Sequence, residues 1–162
     1  MMSEPAWPKE AEEFFRKGYE AQMAGDLDAA IAHYKQSLEI YPTAEAHTFL
    51  GWTYSFQGRY DDAIRECEVA ITVDPDFGNP YNDIGAYLIE IGRHDEAIPW
   101  LEKAITARRY EARHYPHFNL SRVLVKQGKT HEAIREIKKA LEIEPGYTLA
   151  RRELHRLVGQ LN

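Results

Sequence analysis

The chain has 162 residues, 44% of them hydrophobic and 28% charged, proportions that support a packed body rather than disorder and leave room for one ordinary domain. No apolar run approaches the ~18 residues of a membrane span, and the opening MMSEPAWPKEAEEFF lacks the basic and apolar regions of a secretory signal, so the cytoplasm is the expected compartment. The formal net charge of −6 hides an asymmetry: residues 1–107 hold 8 Lys+Arg against 20 Asp+Glu, net −12, and residues 108–162 hold 12 against 6, net +6. The one cysteine, Cys67, excludes an intrachain disulfide and reads as a small buried hydrophobe.

Residues 1–7 read as a tail, with Pro5 and Pro8 flanking Trp7, and Pro8 suits a first helical position. A helix then runs to about Met23 with Phe14, Gly18 and Ala21 inward, and a second from about Leu27 to Ile40. From Ala44 to Pro75 two helical periods stand back to back around Gln57-Gly58-Arg59. Gly58 suits the φ > 0 turn, Asp61 or a neighbour the cap of the second helix, and Pro75 its stop. Near Gly78 a third hairpin begins with Pro80 in its first turn. Pro99, about one turn into the following helix, predicts a slight bend. That helix has no proline stop, and the segment Ala107-Arg108-Arg109-Tyr110-Glu111-Ala112-Arg113 predicts a longer helix or an altered turn. A fourth hairpin follows from His114 to about Tyr147, with Leu120, Leu124, Ala133, Ile134, Ile137, Ala140 and Leu141 as its core. Thr148 to Leu161 is a lone helix with Leu154, Leu157, Val158 and Leu161 on one face, for nine helices in all.

A register runs through these hairpins. Gly25, Gly58, Gly92 and Gly128 are spaced 33, 34 and 36 residues apart, and five positions after each stands an Ala-Ile pair, Ala30-Ile31, Ala63-Ile64, Ala97-Ile98 and Ala133-Ile134. Small residues recur seven positions before each glycine (Gly18, Gly51, Gly85, Ser121) and twelve after it (Ser37, Ala70, Ala104, Ala140), where two helices must approach closely. This pattern resembles the tetratricopeptide repeat, W-x2-L-G-x2-Y, then A-x3-F, then P. The resemblance implies an all-α, right-handed α-solenoid of four helical hairpins (about 11–43, 44–77, 78–113 and 114–147) closed by a C-terminal solvating helix, 148–162. Lys17, where the pattern has Leu, departs from it as an end repeat does.

The same resemblance implies a non-catalytic module that binds a peptide or helix of another protein in a concave groove lined by the first helix of each repeat. Its groove stripe falls on Glu12, Phe15, Tyr19 and Gln22; Glu45, Thr48, Trp52 and Ser55; Asn79, Asn82, Ala86 and Ile89; and Tyr115, Phe118, Arg122 and Val125. Phe15, Tyr19, Trp52, Tyr115 and Phe118 are more aromatic surface than a solvated face needs. Phe15, Tyr19, Trp52 and Phe118 are the expected anchors, and Asn82, Asn119 and Arg122 are expected to fix polar groups. Thr48 completes the predicted binding set. The family's clamp for a chaperone's C-terminal carboxylate, Lys, Asn, Asn, Lys and Arg, meets Phe15, Tyr19, Phe49, Asn79 and Asp83 here, or Thr48, Trp52, Asp83, Tyr115 and Asn119 one repeat on. Neither set matches, so that ligand is not expected.

Other readings are weaker. No phosphate-binding loop, dinucleotide fingerprint, zinc-protease helix or nucleophile elbow is present, so no catalytic residue, cofactor or metal site is expected. His114 and His117 are one turn apart, which suits an ordinary helix start better than a metal pair. Arg108, Arg109, Arg113, Arg122, Lys126 and Lys129 near Tyr110 and Tyr115 suggest single-stranded nucleic acid, but the negative total charge and interleaved glutamates argue against it. Self-association through an open end or the groove is the remaining alternative.

Overall fold

The computed structural model describes residues 7–162, and the tail expected at 1–7 lies outside them except for Trp7. The helices are α1 (Lys9–Met23), α2 (Leu27–Ile40), α3 (Ala44–Phe56), α4 (Tyr60–Val73), α5 (Asn79–Glu90), α6 (His94–Thr106), α7 (His114–Lys126), α8 (Thr130–Ile143) and α9 (Thr148–Leu161). The chain divides into two compact units, Met1–Pro75 and Asp76–Asn162. In each, consecutive helices pair as hairpins, α1 with α2 and α3 with α4 in the first, α5 with α6 and α7 with α8 in the second, where α9 packs on α8.

The turn glycines all take positive φ, as at Gly58 with φ 74°, a conformation that a side chain would strain. Helix starts are less uniform than their sequences suggest. Asp26 caps α2, accepting from Ala29 N at 3.2 Å, and Thr43 caps α3, accepting from Ala46 N at 3.1 Å. The cap expected from Asp61 is not made: α4 begins at Tyr60 after an N-cap Arg59 with no side-chain hydrogen bond. Pro8 is the N-cap of α1 rather than its first residue, and Trp7 before it packs edge-on against Phe15 at 5.2 Å.

Small residues set the spacing within each hairpin. A Cβ added at Gly85 would lie 2.4 Å from Leu101 Cδ2, and one at Gly51 2.9 Å from the carbonyl oxygen of Ala63. Cys67 is buried beside Gly51. A second pairing links the helices of each hairpin nearby, and its chemistry alternates. The first and third hairpins pair rings, Phe14 stacked on His33 (6.3 Å) and Tyr81 tilted against Trp100 (6.2 Å). The second and fourth join His47 Nδ1 to Glu66 Oε2 (2.8 Å) and His117 Nδ1 to Glu136 Oε2 (2.7 Å).

The long link before α7 is an altered turn. α6 runs unbroken through Pro99 to Thr106, and residues 107–113 then fold back on the start of α5. Arg109 N donates to Asp76 O (2.9 Å) and Gly78 N to Arg109 O (3.0 Å). The Arg109 guanidinium lies 4.2 Å from the centre of the Phe77 ring. Tyr110 is buried against Gly78, where a Cβ would sit 2.4 Å from its own. Arg113 ties the link together by donating to the carbonyls of Ile105 (2.9 Å), Ala107 and Tyr110. At the far end Leu157 is buried and Leu154 packs beside it, but Val158 and Leu161 are 42% and 46% exposed, so the apolar face assigned to α9 is covered only in part.

Candidate functional site

In the first unit the rings of the expected stripe separate from its buried or helix-bonded polar groups. Gln22 is buried, its Oε1 accepting from Tyr34 OH at 2.6 Å, and that burial pushes the Tyr34 phenol up. Thr48 is 3% exposed and donates to Ala44 O at 2.7 Å, so its hydroxyl serves its own helix rather than a partner. Ser55 likewise donates to Trp52 O at 2.6 Å. The remainder is an aromatic series whose hub is Phe49. Its centroid lies 5.3 Å from Phe15, 5.9 Å from Tyr19, 6.2 Å from Tyr34 and 5.8 Å from Trp52, and Trp52 continues to Phe56 at 5.2 Å. Phe15 and Trp52 are half-buried within it, whereas Tyr19 and Phe56 are 43% and 59% exposed. The stripe missed Phe49 and Phe56; their signal was their place one residue beyond Thr48 and Ser55.

The second unit builds a polar face from the same helix positions. Asn82 on α5 and Asn119 on α7 are buried, and Asn119 Nδ2 donates to Asn82 Oδ1 at 3.0 Å. Arg122 bonds Asn119 Oδ1 (3.2 Å) through Nη1 and Glu90 Oε1 (2.8 Å) through Nη2. Amide, guanidinium and carboxylate therefore form one chain, and its Arg–Glu end reaches water, where screening keeps that pair worth under about 1 kcal/mol. Phe118 packs on Tyr147 at 5.2 Å and belongs to the α8–α9 core, while Tyr115 is 44% exposed. Tyr115 also meets Tyr147 (5.6 Å) and His114 (4.1 Å).

Three residues lie outside the expected binding set: Asp83, Tyr110 and Tyr147. Asp83 is half-buried, and loss of water pushes its carboxyl up to about 7, although Asn82 hydrogen bonds to it. Burial first, then Asp83, raises the Tyr110 phenol, and burial holds Tyr147 near about 12. Tyr110 and Tyr147 arrive from links between helices, which the helical period does not index.

The two histidines at the start of α7 go separate ways, His117 to Glu136 and His114 into the tyrosine cluster. Among the described residues, no three His, Cys, Asp or Glu gather as metal ligands. Half of the basic set is engaged in folding: Arg113 holds carbonyls, Arg109 lies on Phe77 and Arg122 bonds Glu90, while Arg108, Lys126 and Lys129 are exposed and Tyr110 is buried. No helix among the described residues is long and apolar enough to cross a membrane.

Comparison with known proteins agrees with this architecture. Two family models described as tetratricopeptide repeat match residues 21–81 and 76–144. Small glutamine-rich tetratricopeptide repeat-containing protein 2 of Mycosarcoma maydis is 31% identical over 96 residues, 59% of this chain and 27% of that protein. Sperm-associated antigen 1 of Mus musculus is 29% identical over 85% of this chain and 11% of its own length, so the chain spans about a quarter or less of these two relatives. Photosystem I assembly protein Ycf3 of Prochlorococcus marinus is 28% identical over 72% of this chain and 73% of its own. Among solved structures, PilF of Pseudomonas aeruginosa has a TM-score of 0.87 at 23% identity, covering 94% of this chain and 69% of that one. MamA has a TM-score of 0.72 at 25% identity, covering 92% and 81%. The register of small residues, the helical hairpins they produce and these matches lead to one conclusion: the chain is an all-α protein of the tetratricopeptide-repeat family, whose members are protein–protein interaction modules.

Proposed function

We propose that this chain is a non-catalytic binding protein that takes an extended or helical segment of another protein on the first-helix faces of its hairpins. The body would comprise repeats at about 11–43, 44–77, 78–113 and 114–147, closed by residues 148–162. Phe15, Tyr19, Trp52 and Phe118 supply apolar anchorage, Tyr115 adds an exposed ring, and Asn82, Asn119 and Arg122 orient polar groups. The observation that carries the reading is the ring series around Phe49, which leaves Tyr19 and Phe56 substantially exposed. Rigid aromatic surface with little side-chain entropy to lose is what binding hot spots use. Photosystem I assembly, the role that Ycf3 is named for, fits a module that holds another protein.

Capture of partners from native lysate by wild type and by a Trp52→Ala/Arg122→Glu variant of unchanged helicity and melting tests this. A captured partner, re-made pure, should bind the variant at least about tenfold more weakly, since two hot-spot contacts are lost. Equal binding overturns the assignment of this face, and capture of further copies of the bait alone points instead to self-association.

A further inference from the structure

Helix α9 carries an apolar stripe that its own unit covers only in part. Ala150 and Leu157 are buried in the core shared with α8, Leu154 is half-buried, and Val158 and Leu161 are 42% and 46% exposed. Leu154, Val158 and Leu161 follow one another at spacings of four and three, which places them on one flank of the helix, and Arg151, three residues before Leu154, shares that flank. Arg151 and its neighbour Arg152 are exposed, and neither side chain has an anionic partner among the described residues. Residues 148–162 hold three arginines against one carboxylate, Glu153, which Arg156 engages. The exposed flank is therefore apolar at its centre and positive at one end.

The first unit offers the complement. Residues 1–75 hold 6 Lys+Arg and 14 Asp+Glu, net −8. The ring series around Phe49 runs through Phe15 to Trp7 and leaves Tyr19 and Phe56 substantially exposed. At its Trp7 end it opens into a cleft lined by Trp7 and Phe15 together with Glu12, Glu13, Lys9 and Arg16. Arg16 is engaged by Glu20 at 3.3 Å, whereas Glu12 and Glu13 are exposed and have no cationic partner among the described residues. This face is thus apolar along its length and carries two unpaired carboxylates at one end. Opposite charges beside matching apolar surfaces steer two proteins together and fix their register, and a guanidinium brought against a ring adds its own attraction.

Resting on the preceding reading of this face as a binding surface, we propose that it also receives α9 of a second copy of this chain, with Leu154, Val158 and Leu161 against the rings and Arg151 and Arg152 toward Glu12 and Glu13. The contact is heterologous, because one copy gives its α9 and the other its ring face. A partner segment and a second copy therefore compete for the same surface, and self-association at high concentration closes it.

Sedimentation equilibrium of the full chain, alone and in mixtures, tests this. The mass of wild type should rise with concentration and fall as salt is raised from about 0.05 M to about 0.5 M. Val158→Asp on α9 and Trp52→Ala on the ring face should each weaken self-association at least about tenfold. Glu12→Arg/Glu13→Arg, which alters exposed side chains only, should weaken it most at low salt. Circular dichroism checks that each variant is folded. Mixing Val158→Asp with Trp52→Ala should restore a one-to-one dimer, since one chain keeps an intact ring face and the other an intact α9. A wild type that stays monomeric, an association that survives either Val158→Asp or Trp52→Ala, or a mixture that restores nothing overturns the contact between copies. In each of those cases the face assignment stands if a partner captured from lysate still requires Trp52, and fails as well if that partner ignores it.

Discussion

Phe49 and Asp83 occupy the same place in successive hairpins, 34 residues apart, and do opposite things. Phe49 is the centre of an aromatic series that closes the first unit's helix faces by dispersion and edge-to-face contact. Asp83 is a half-buried carboxylate beside a hydrogen-bonded amide chain in the second. What holds the hairpins is elsewhere, in Gly51 against Ala63 and Gly85 against Leu101. The repeat therefore leaves this position free, and each unit uses it for its own surface chemistry.

Truncating the hub should show the largest effect. Phe49→Ala removes a half-buried ring touching four others and should cost about 3 kcal/mol in urea unfolding; a loss under about 1 kcal/mol would mean that the rings are surface ornament rather than core. Next in size, Arg113→Ala strips three carbonyls of their donor in the second unit only. It should cost about 2 kcal/mol, with amide exchange accelerating first at residues 107–113 and the start of α5. Uniform acceleration across both units would contradict that local role.

Asp83→Asn has the opposite sign. The folded-state value near 7 exceeds that of an unfolded aspartate, so native Asp83 holds its proton more tightly and lowers stability progressively as pH rises from about 4 to 7. The amide should raise stability by about 1 kcal/mol at pH 8, a figure discounted for the carboxyl's remaining contact with water, and by less at pH 4. Equal gains at both pH values would show that charge is not the cause. The smallest effect belongs to the fourth hairpin's strut. The His117 hydrogen bond, and secondarily Lys139, hold Glu136 below the usual carboxylate range, so its contribution is present above the unfolded value and is lost as pH falls through the folded one. Glu136→Gln should cost about 0.5–1 kcal/mol at pH 7 and nearly nothing near pH 3, read by thermal melting.

Where neighbours in sequence set the geometry, the sequence was legible. Gly58 and its equivalents announced their turns, and the pairing of small residues announced where helices meet. Legibility ended where a contact spans repeats or enters from a link. Asn82 and Asn119 were both marked as polar site residues, yet nothing in their positions showed that they bond each other across 37 residues. Thr48 lay on the expected stripe, but its hydroxyl found its own helix first. Asp61 looked like a cap and is not one, because α4 starts at Tyr60, two residues earlier than that cap requires.

The sequence alone determined the hairpins, because a positive-φ turn, a small residue at a close approach and an apolar period are local requirements that a single position meets or fails. Only the tertiary structure decided that the link 107–113 folds back to place Tyr110 against Gly78. That outcome depends on which groups converge from distant parts of the chain, and that is not a property of a sequence window.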